Sequence, residues 1–206
     1  MNKKKIIIFG AGQFGHYVLD IINRNKEYDF LGFIDKAKKK YVIGNDNYFK
    51  KNINKKFKNV EIIIAIFEKK LRKKIINLVE KYKLPTPNLI DKTSIVSDSI
   101  IIGTGNIIGT NSVISNGVKI GSYNLIGTSV NLLHNCKLGN NNIIAGGTNI
   151  GANVIVQNDV FMGVGSVIAS GNIRIKENSY ICAGSVVLRN LEKGSKVLGN
   201  PAKKII

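Results

Sequence analysis

Two cysteines, two histidines and three prolines are few for 206 residues, and each scarcity excludes something. Cys136 and Cys182 stand 46 positions apart with no CxxC pair, and only His16 and His134 could assist them. No metal site and no disulfide framework are expected, and a reducing, cytoplasmic setting fits best. Long apolar runs are missing too. None approaches the roughly 20 residues a membrane span needs. After Lys3, Lys4 and Lys5 the run extends only from Ile6 to Phe9 before glycines interrupt it. It reads as a buried strand rather than a signal peptide, and no membrane span is expected.

What is abundant is lysine. The net charge is +18, and residues 1–92 hold 22 Lys/Arg against 9 Asp/Glu, whereas residues 93–206 hold 9 against 4. The lysines are interleaved with Asn and Ile, without the arginine or aromatic clusters that read bases. A solvated lysine surface is expected and no nucleic-acid partner, with attraction of anionic small molecules as a secondary effect.

Composition changes at Leu84-Pro85-Thr86-Pro87, where two prolines in three residues disfavour continuing a helix. We therefore expect two domains, residues 1–88 and 89–206. Beyond the boundary the sequence repeats every six residues. Steps of six from Ile90 land on Val96, Ile102, Ile108, Ile114, Ile120, Ile126, Leu132, Leu138, Ile144, Ile150, Val156, Met162 and Ile168. The residue after each is often small, as at Gly103, Gly121 and Gly139, and four places on a small or β-branched residue recurs, as at Ser112, Val118 and Thr148.

A period of six fits neither a helix at 3.6 nor an alternating strand. Each hexad reads as one face of a triangular prism, aliphatic residue inward and small residues at the edge: a left-handed parallel β-helix. The fourteen hexads would make four to five coils. After Ile168 the frame slips by one, resuming at Ile175, Ile181 and Val187, so a bulge is expected near Ser170-Gly171-Asn172. Taken alone, such a repeat could also be a non-catalytic scaffold.

The amino-terminal part reads as an α/β, Rossmann-like half-domain. Ile6-Ile7-Ile8-Phe9 is a buried strand, Gly10-Ala11-Gly12-Gln13-Phe14-Gly15 is a GxGxxG turn, and Val18, Leu19, Ile21 and Ile22 follow at helical spacing. Such a turn lets backbone approach a diphosphate at a helix N-terminus. A second strand, Leu31–Ile34, ends in Asp35, placed for a ribose or base contact. A third, 61–66, leads into a basic helix through Leu71, Arg72, Ile75, Ile76 and Val79. The motif alone also admits a nicotinamide-binding redox or sensor protein, but the roughly 90 residues available hold only one mononucleotide unit.

The tail Gly199-Asn200-Pro201-Ala202-Lys203 has the turn-and-lysine form of hexapeptide acyltransferases. With it, the chain resembles the bacterial sugar acetyltransferases of the sialic-acid O-acetyltransferase and UDP-4-amino-sugar N-acetyltransferase type. The resemblance implies N-acetylation of a UDP- or dTDP-linked amino sugar by acetyl-CoA, or alternatively O-acetylation of a sugar such as sialic acid. It implies substrate contacts at Gly10, Gly12, Gly15, Asp35, Lys36 and Ile66. It makes His134 the general base, next to Asn135 where many N-acetyltransferases of the group carry an acid. It places acetyl-CoA at Gly151 and Ala152, running past Gly165, Ala183 and Gly184 towards Pro201 and Lys203. A filled prism has no internal cavity, so a site between chains of a homotrimer is expected. A γ-class carbonic anhydrase would need three histidine ligands per zinc, and the repeat holds only His134.

Overall fold

The computed structural model describes residues 3–37 and 39–205. The chain forms two compact units, Met1–Leu89 and Ile90–Ile206. No described helix is long and apolar enough to cross a membrane.

The first unit is a four-stranded sheet in the order β3-β2-β1-β4, with β1 at Lys4–Phe9, β2 at Tyr28–Ile34, β3 at Val42–Gly44 and β4 at Glu61–Ile64. Its pairings are parallel. Parallel strands covered on both faces need consecutive apolar residues. Accordingly Ile6, Ile7, Ile8 and Phe9 are all buried. Helix α1, Gln13–Asn25, buries Val18, Ile21 and Ile22 and ends at Lys26, whose left-handed backbone (φ 61°) returns its N–H to Ile22 O.

Two elements escape the sequence reading. Strand β3 is only three residues long, and α2, Asp46–Lys56, buries just Phe49 and Ile53. A lysine-rich helix with two buried side chains carries little periodic signal. Its start is nevertheless encoded, since Asn45 accepts from Tyr48 N at 3.0 Å as an N-cap. Phe49 then packs edge-on to Phe9 at 4.8 Å and stacks on Phe57 at 5.0 Å. Helix α3, Lys69–Lys81, buries Ile75, Ile76, Leu78 and Val79, and with them Arg72.

The second unit is the expected parallel β-helix. Its strands are mostly two residues long and fall in three sheets, here called faces. Face I begins with Leu89–Ile90 and Ile107–Ile108, face II with Ile95–Val96 and Val113–Ile114, face III with Ile101–Ile102 and Lys119–Ile120. Strands on one face pair in parallel 18 residues apart, as Leu132 does with Ile150. The fourteen hexads form the strands from Leu89–Ile90 to Val167–Ile168, four to five coils as expected, and four further strands, Arg174–Ile175, Tyr180–Ile181, Val186–Val187 and Lys196–Leu198, lengthen the helix beyond them. The unbroken hexads end at Ile168, whereas Ile175, Ile181, Val187, Leu191 and Val197 continue the core. The slip falls where expected, with Ile155 paired to Arg174 and Gly171 at φ 124°. A second irregularity, unforeseen, shortens the last coil, where Ile181 pairs with Val197.

In the hexads from Ile108 to Met162 two residues point inward. Besides the aliphatic residue, the one four places on is also buried, which gives each edge its own inner column. One runs Ser112, Val130, Thr148, Ser166; another Val118, Cys136, Val154. The third is polar. Asn106, Asn124 and Asn142 are fully buried. Asn124 Nδ2 donates to Asn106 Oδ1 at 2.9 Å, Asn142 Nδ2 to Asn124 Oδ1 at 3.0 Å, and Val160 N to Asn142 Oδ1 at 2.7 Å. Buried amides persist only when paired, and a vertical ladder pairs them.

Candidate active site

In the first unit, the ends of β1, β2 and β4 open into a cavity of about 270 Å³. Gly10, Gly12, Asp35, Lys36 and Ile66 line it, with Asp46, Phe67, Glu68 and Leu71. Each glycine of the GxGxxG turn has a different task. Gly10 adopts φ +103°, and a Cβ there would lie 2.6 Å from Ala65 O. A Cβ on Gly12 would meet nothing within 4 Å, so no packing within the chain requires glycine there. Gly15 is buried, lies outside the cavity lining, and presses α1 onto the carbonyl of Gly10.

The start of α1 is suited to an anion. Its N-cap, Gly12, gives no side-chain hydrogen bond. Asn45 caps α2, and Glu68 caps α3 by accepting from Lys70 N at 2.8 Å and Leu71 N at 2.6 Å. Of the three described helices, α1 alone therefore offers its first-turn N–H groups to a ligand.

Asp35 behaves differently from a free ribose contact. Its Oδ2 accepts from Ala11 N at 2.7 Å and its Oδ1 from Ala37 N at 2.8 Å. Partial burial pushes its carboxyl up, but these N–H donors, Lys39 and the Lys36 N–H outweigh that and hold it below its ordinary value. Asp35 thus clamps the glycine turn to the end of β2, and Lys39 Nζ adds a 3.3 Å bond to Ala11 O. Arg72, read from sequence as one cation of a basic helix, is 1% exposed. It donates to Ile64 O at 3.2 Å and Ile66 O at 3.3 Å, fixing the wall that carries Ile66.

In the second unit, His134 is exposed at the edge between faces II and III, just before the strand Lys137–Leu138. Neighbouring Asn135 is at φ +61°, and its Nδ2 lies 3.4 Å from His134 Nδ1. The coil above closes on the same backbone, with Asn153 N donating to His134 O at 3.1 Å. Gly151 and Ala152 occupy this edge one coil above, but both are buried. Gly151 N donates to Ile168 O at 2.9 Å, and Ala152 N to Ser170 Oγ at 3.1 Å. A Cβ on Gly151 would run into the backbone of Ser170, so its glycine serves coil stacking.

Gly165, Ala183 and Gly184 are exposed at the other edge of face II, between it and face I. Pro201 and Lys203 are exposed in the terminal hairpin, where Leu198 pairs antiparallel with Lys203. One chain therefore does not gather all these residues at one place. His134, Gly151 and Ala152 share one edge; Gly165, Ala183 and Gly184 share another, separated by the width of face II. Among the described residues no group of three or more His, Cys, Asp or Glu could hold a metal ion.

Two family models match the sequence: the PglD N-terminal domain over residues 5–79, and the bacterial transferase hexapeptide (six repeats) over residues 117–152. No curated protein matches. Among solved structures, the fold is shared with the acetyltransferase domain of PglB from Neisseria gonorrhoeae, at 22% identity and a TM-score of 0.89, covering 98% of this chain and 100% of that one. That domain has also been solved in complex with acetyl coenzyme A. WeeI from Acinetobacter baumannii is similar at 22% identity and a TM-score of 0.87, covering 98% and 100%. PerB from Caulobacter crescentus, in complex with CoA and GDP-perosamine, is similar at 23% identity and a TM-score of 0.80, covering 98% and 97%.

Proposed function

We propose, from a chain that joins a PglD N-terminal domain to a bacterial transferase hexapeptide repeat, that this protein moves the acetyl group of acetyl-CoA onto the amine of a nucleotide-linked amino sugar. The observation that carries this reading is His134: the sole histidine of the β-helix, exposed at an edge, with its Nδ1 beside the Asn135 amide. The nucleotide end of the substrate occupies the cavity at the uncapped start of α1, with its diphosphate on the first-turn N–H groups. The nucleotide is UDP or dTDP, and Gly10, Gly12, Lys36 and Ile66 touch it.

The chemistry needs one base and no covalent acyl-enzyme. The amine nitrogen attacks the thioester carbonyl while His134 takes its proton. The tetrahedral intermediate then collapses, the carbon–sulfur bond breaks, and the CoA sulfur leaves with the proton returned from His134. Products are the acetamido sugar nucleotide and CoA. Because Gly151 N and Ala152 N are already bonded, an oxyanion donor there becomes available only when Ser170 Oγ releases Ala152.

O-acetylation of a sugar is the second reading, favoured by Asn135. An amide orients imidazole but stabilises the protonated form less than a carboxylate does. A thermal-shift panel of acetyl-CoA, UDP-, dTDP- and GDP-sugars and NAD, followed by CoA-release assays with amino and hydroxy sugars, tests both readings. Stabilisation by NAD and not by acetyl-CoA would overturn them.

A further inference from the structure

Gly117 stands on the same edge as Asn135, one coil earlier. Both have left-handed backbones, at φ +68° and +61°. The turn conformation does not itself demand glycine at this corner, because Asn111, Asn141, Asn153 and Asn178 adopt φ between 55° and 62° at equivalent corners. Asparagine tolerates this region well. What demands glycine is the space above. A Cβ on Gly117 would collide with Asn135 Oδ1 and lie 3.5 Å from its Cγ. Gly165 and Gly184, also at positive φ, have nothing within 4 Å of an added Cβ. The Asn135 amide is therefore folded down onto Gly117, and from that seat its other end reaches 3.4 Å from His134 Nδ1.

We propose that Gly117 is a positioning residue for His134, acting only through Asn135; the inference rests on His134 being the general base. The two ends of an amide fill nearly the same space. A half-turn of the Asn135 amide over a bare Gly117 therefore exchanges Nδ2 for Oδ1 at the ring. With Oδ1 there, it accepts the Nδ1 proton and leaves the Nε2 lone pair free to take the proton of the attacking amine. A side chain on Gly117 removes the seat, so the ring loses both its plane and its tautomer.

Gly117→Asn isolates this role, because the new residue suits the corner backbone. The expected result is a fall in kcat of roughly tenfold with the KM for acetyl-CoA unchanged, the scale of a modest misplacement of a reacting group. In an Asn135→Gly background the same substitution is expected to cost nothing further. Nitrogen NMR of the imidazole, which needs no turnover, is expected to show Nδ1–H enriched in the parent and a shift towards Nε2–H in Gly117→Asn. Parental kcat and tautomer in Gly117→Asn would overturn the proposal. So would an equal loss with and without Asn135, which would make the effect one of general structure. Full activity in His134→Ala would instead remove the base, while the NMR comparison would still judge the seat.

Discussion

His134 and Gly165 stand on opposite edges of face II, and we propose that acetyl-CoA reaches both by lying between two chains. A second copy that places its Gly165 edge beside the first copy's His134 edge would join the two half-sites. Repeating that contact around a threefold axis closes after three subunits. Sedimentation is expected to give a trimer, and mixing His134→Ala with Gly184→Trp chains is expected to restore some activity through mixed subunits. A fully active monomer would refute this arrangement.

Removing the imidazole is expected to leave the prism intact, because His134 is exposed and contributes nothing to the inner columns. His134→Ala should bind acetyl-CoA and lose transfer by roughly 100-fold or more, the usual scale for a general base. Activity within a few-fold of the parent would exclude the role.

Gly12 and Gly15 separate binding from folding within one motif. Gly12→Val has room in the free protein but fills space beside the start of α1. It should raise the KM for the sugar nucleotide and leave acetyl-CoA binding unchanged. Gly15→Val drives a side chain into the Gly10 carbonyl and should lower the melting temperature without any ligand. Equal behaviour of the two variants in thermal melts would contradict the distinction.

Much of this fold is legible in the amino-acid sequence alone, for physical reasons that differ by element. The hexad from Ile90 to Ile168 is visible because every coil repeats the same inward position, and the strand Ile6–Phe9 because burial on both faces demands an unbroken apolar run. Strand β3 and helix α2 are not legible, since three residues and two buried side chains leave no period to detect. In the site, Asp35 is marked by its distance from the glycine turn, but its attachment to Ala11 N depends on a loop path that spacing does not encode. Arg72 is hidden among lysines: only burial distinguishes it. Gly151 resembles a ligand contact because small residues at a prism edge serve stacking and binding alike.

The Asp35 clamp has a sign in pH. Its carboxyl is held below the ordinary value of 3.8 in the folded chain. The stability it contributes is therefore complete above that value and is lost as pH falls through the lower, folded one. Melting of the parent is expected to steepen in its pH dependence below about pH 4. Asp35→Asn should melt lower at neutral pH, with the difference shrinking as acid is added. A gap that widens in acid would refute the clamp.

Cutting the asparagine ladder in its middle should be costly. Asn124→Ala removes the acceptor of both Asn142 N and Asn142 Nδ2, which are fully buried, while Asn106 Oδ1 keeps the Asn124 N–H. A loss of about 3 kcal/mol is expected, since buried groups left unpaired cost about 1–3 kcal/mol each. Chemical denaturation measures it. A cost below that of an ordinary surface substitution would mean that water enters the column.

That ladder also dictates how the prism can change in length. Asn106, Asn124 and Asn142 make the same bonds to one another because each lies 18 residues from the next. Deleting or duplicating a whole coil would splice one asparagine onto another and restore every rung. An insertion of one hexad would turn all later faces by a third of a revolution, setting amides beneath valines and stranding their hydrogen bonds in the apolar interior. Single-residue insertions belong at the edges, where the bulge around Gly171 already accommodates one. The inner column thus admits growth and loss only in whole coils.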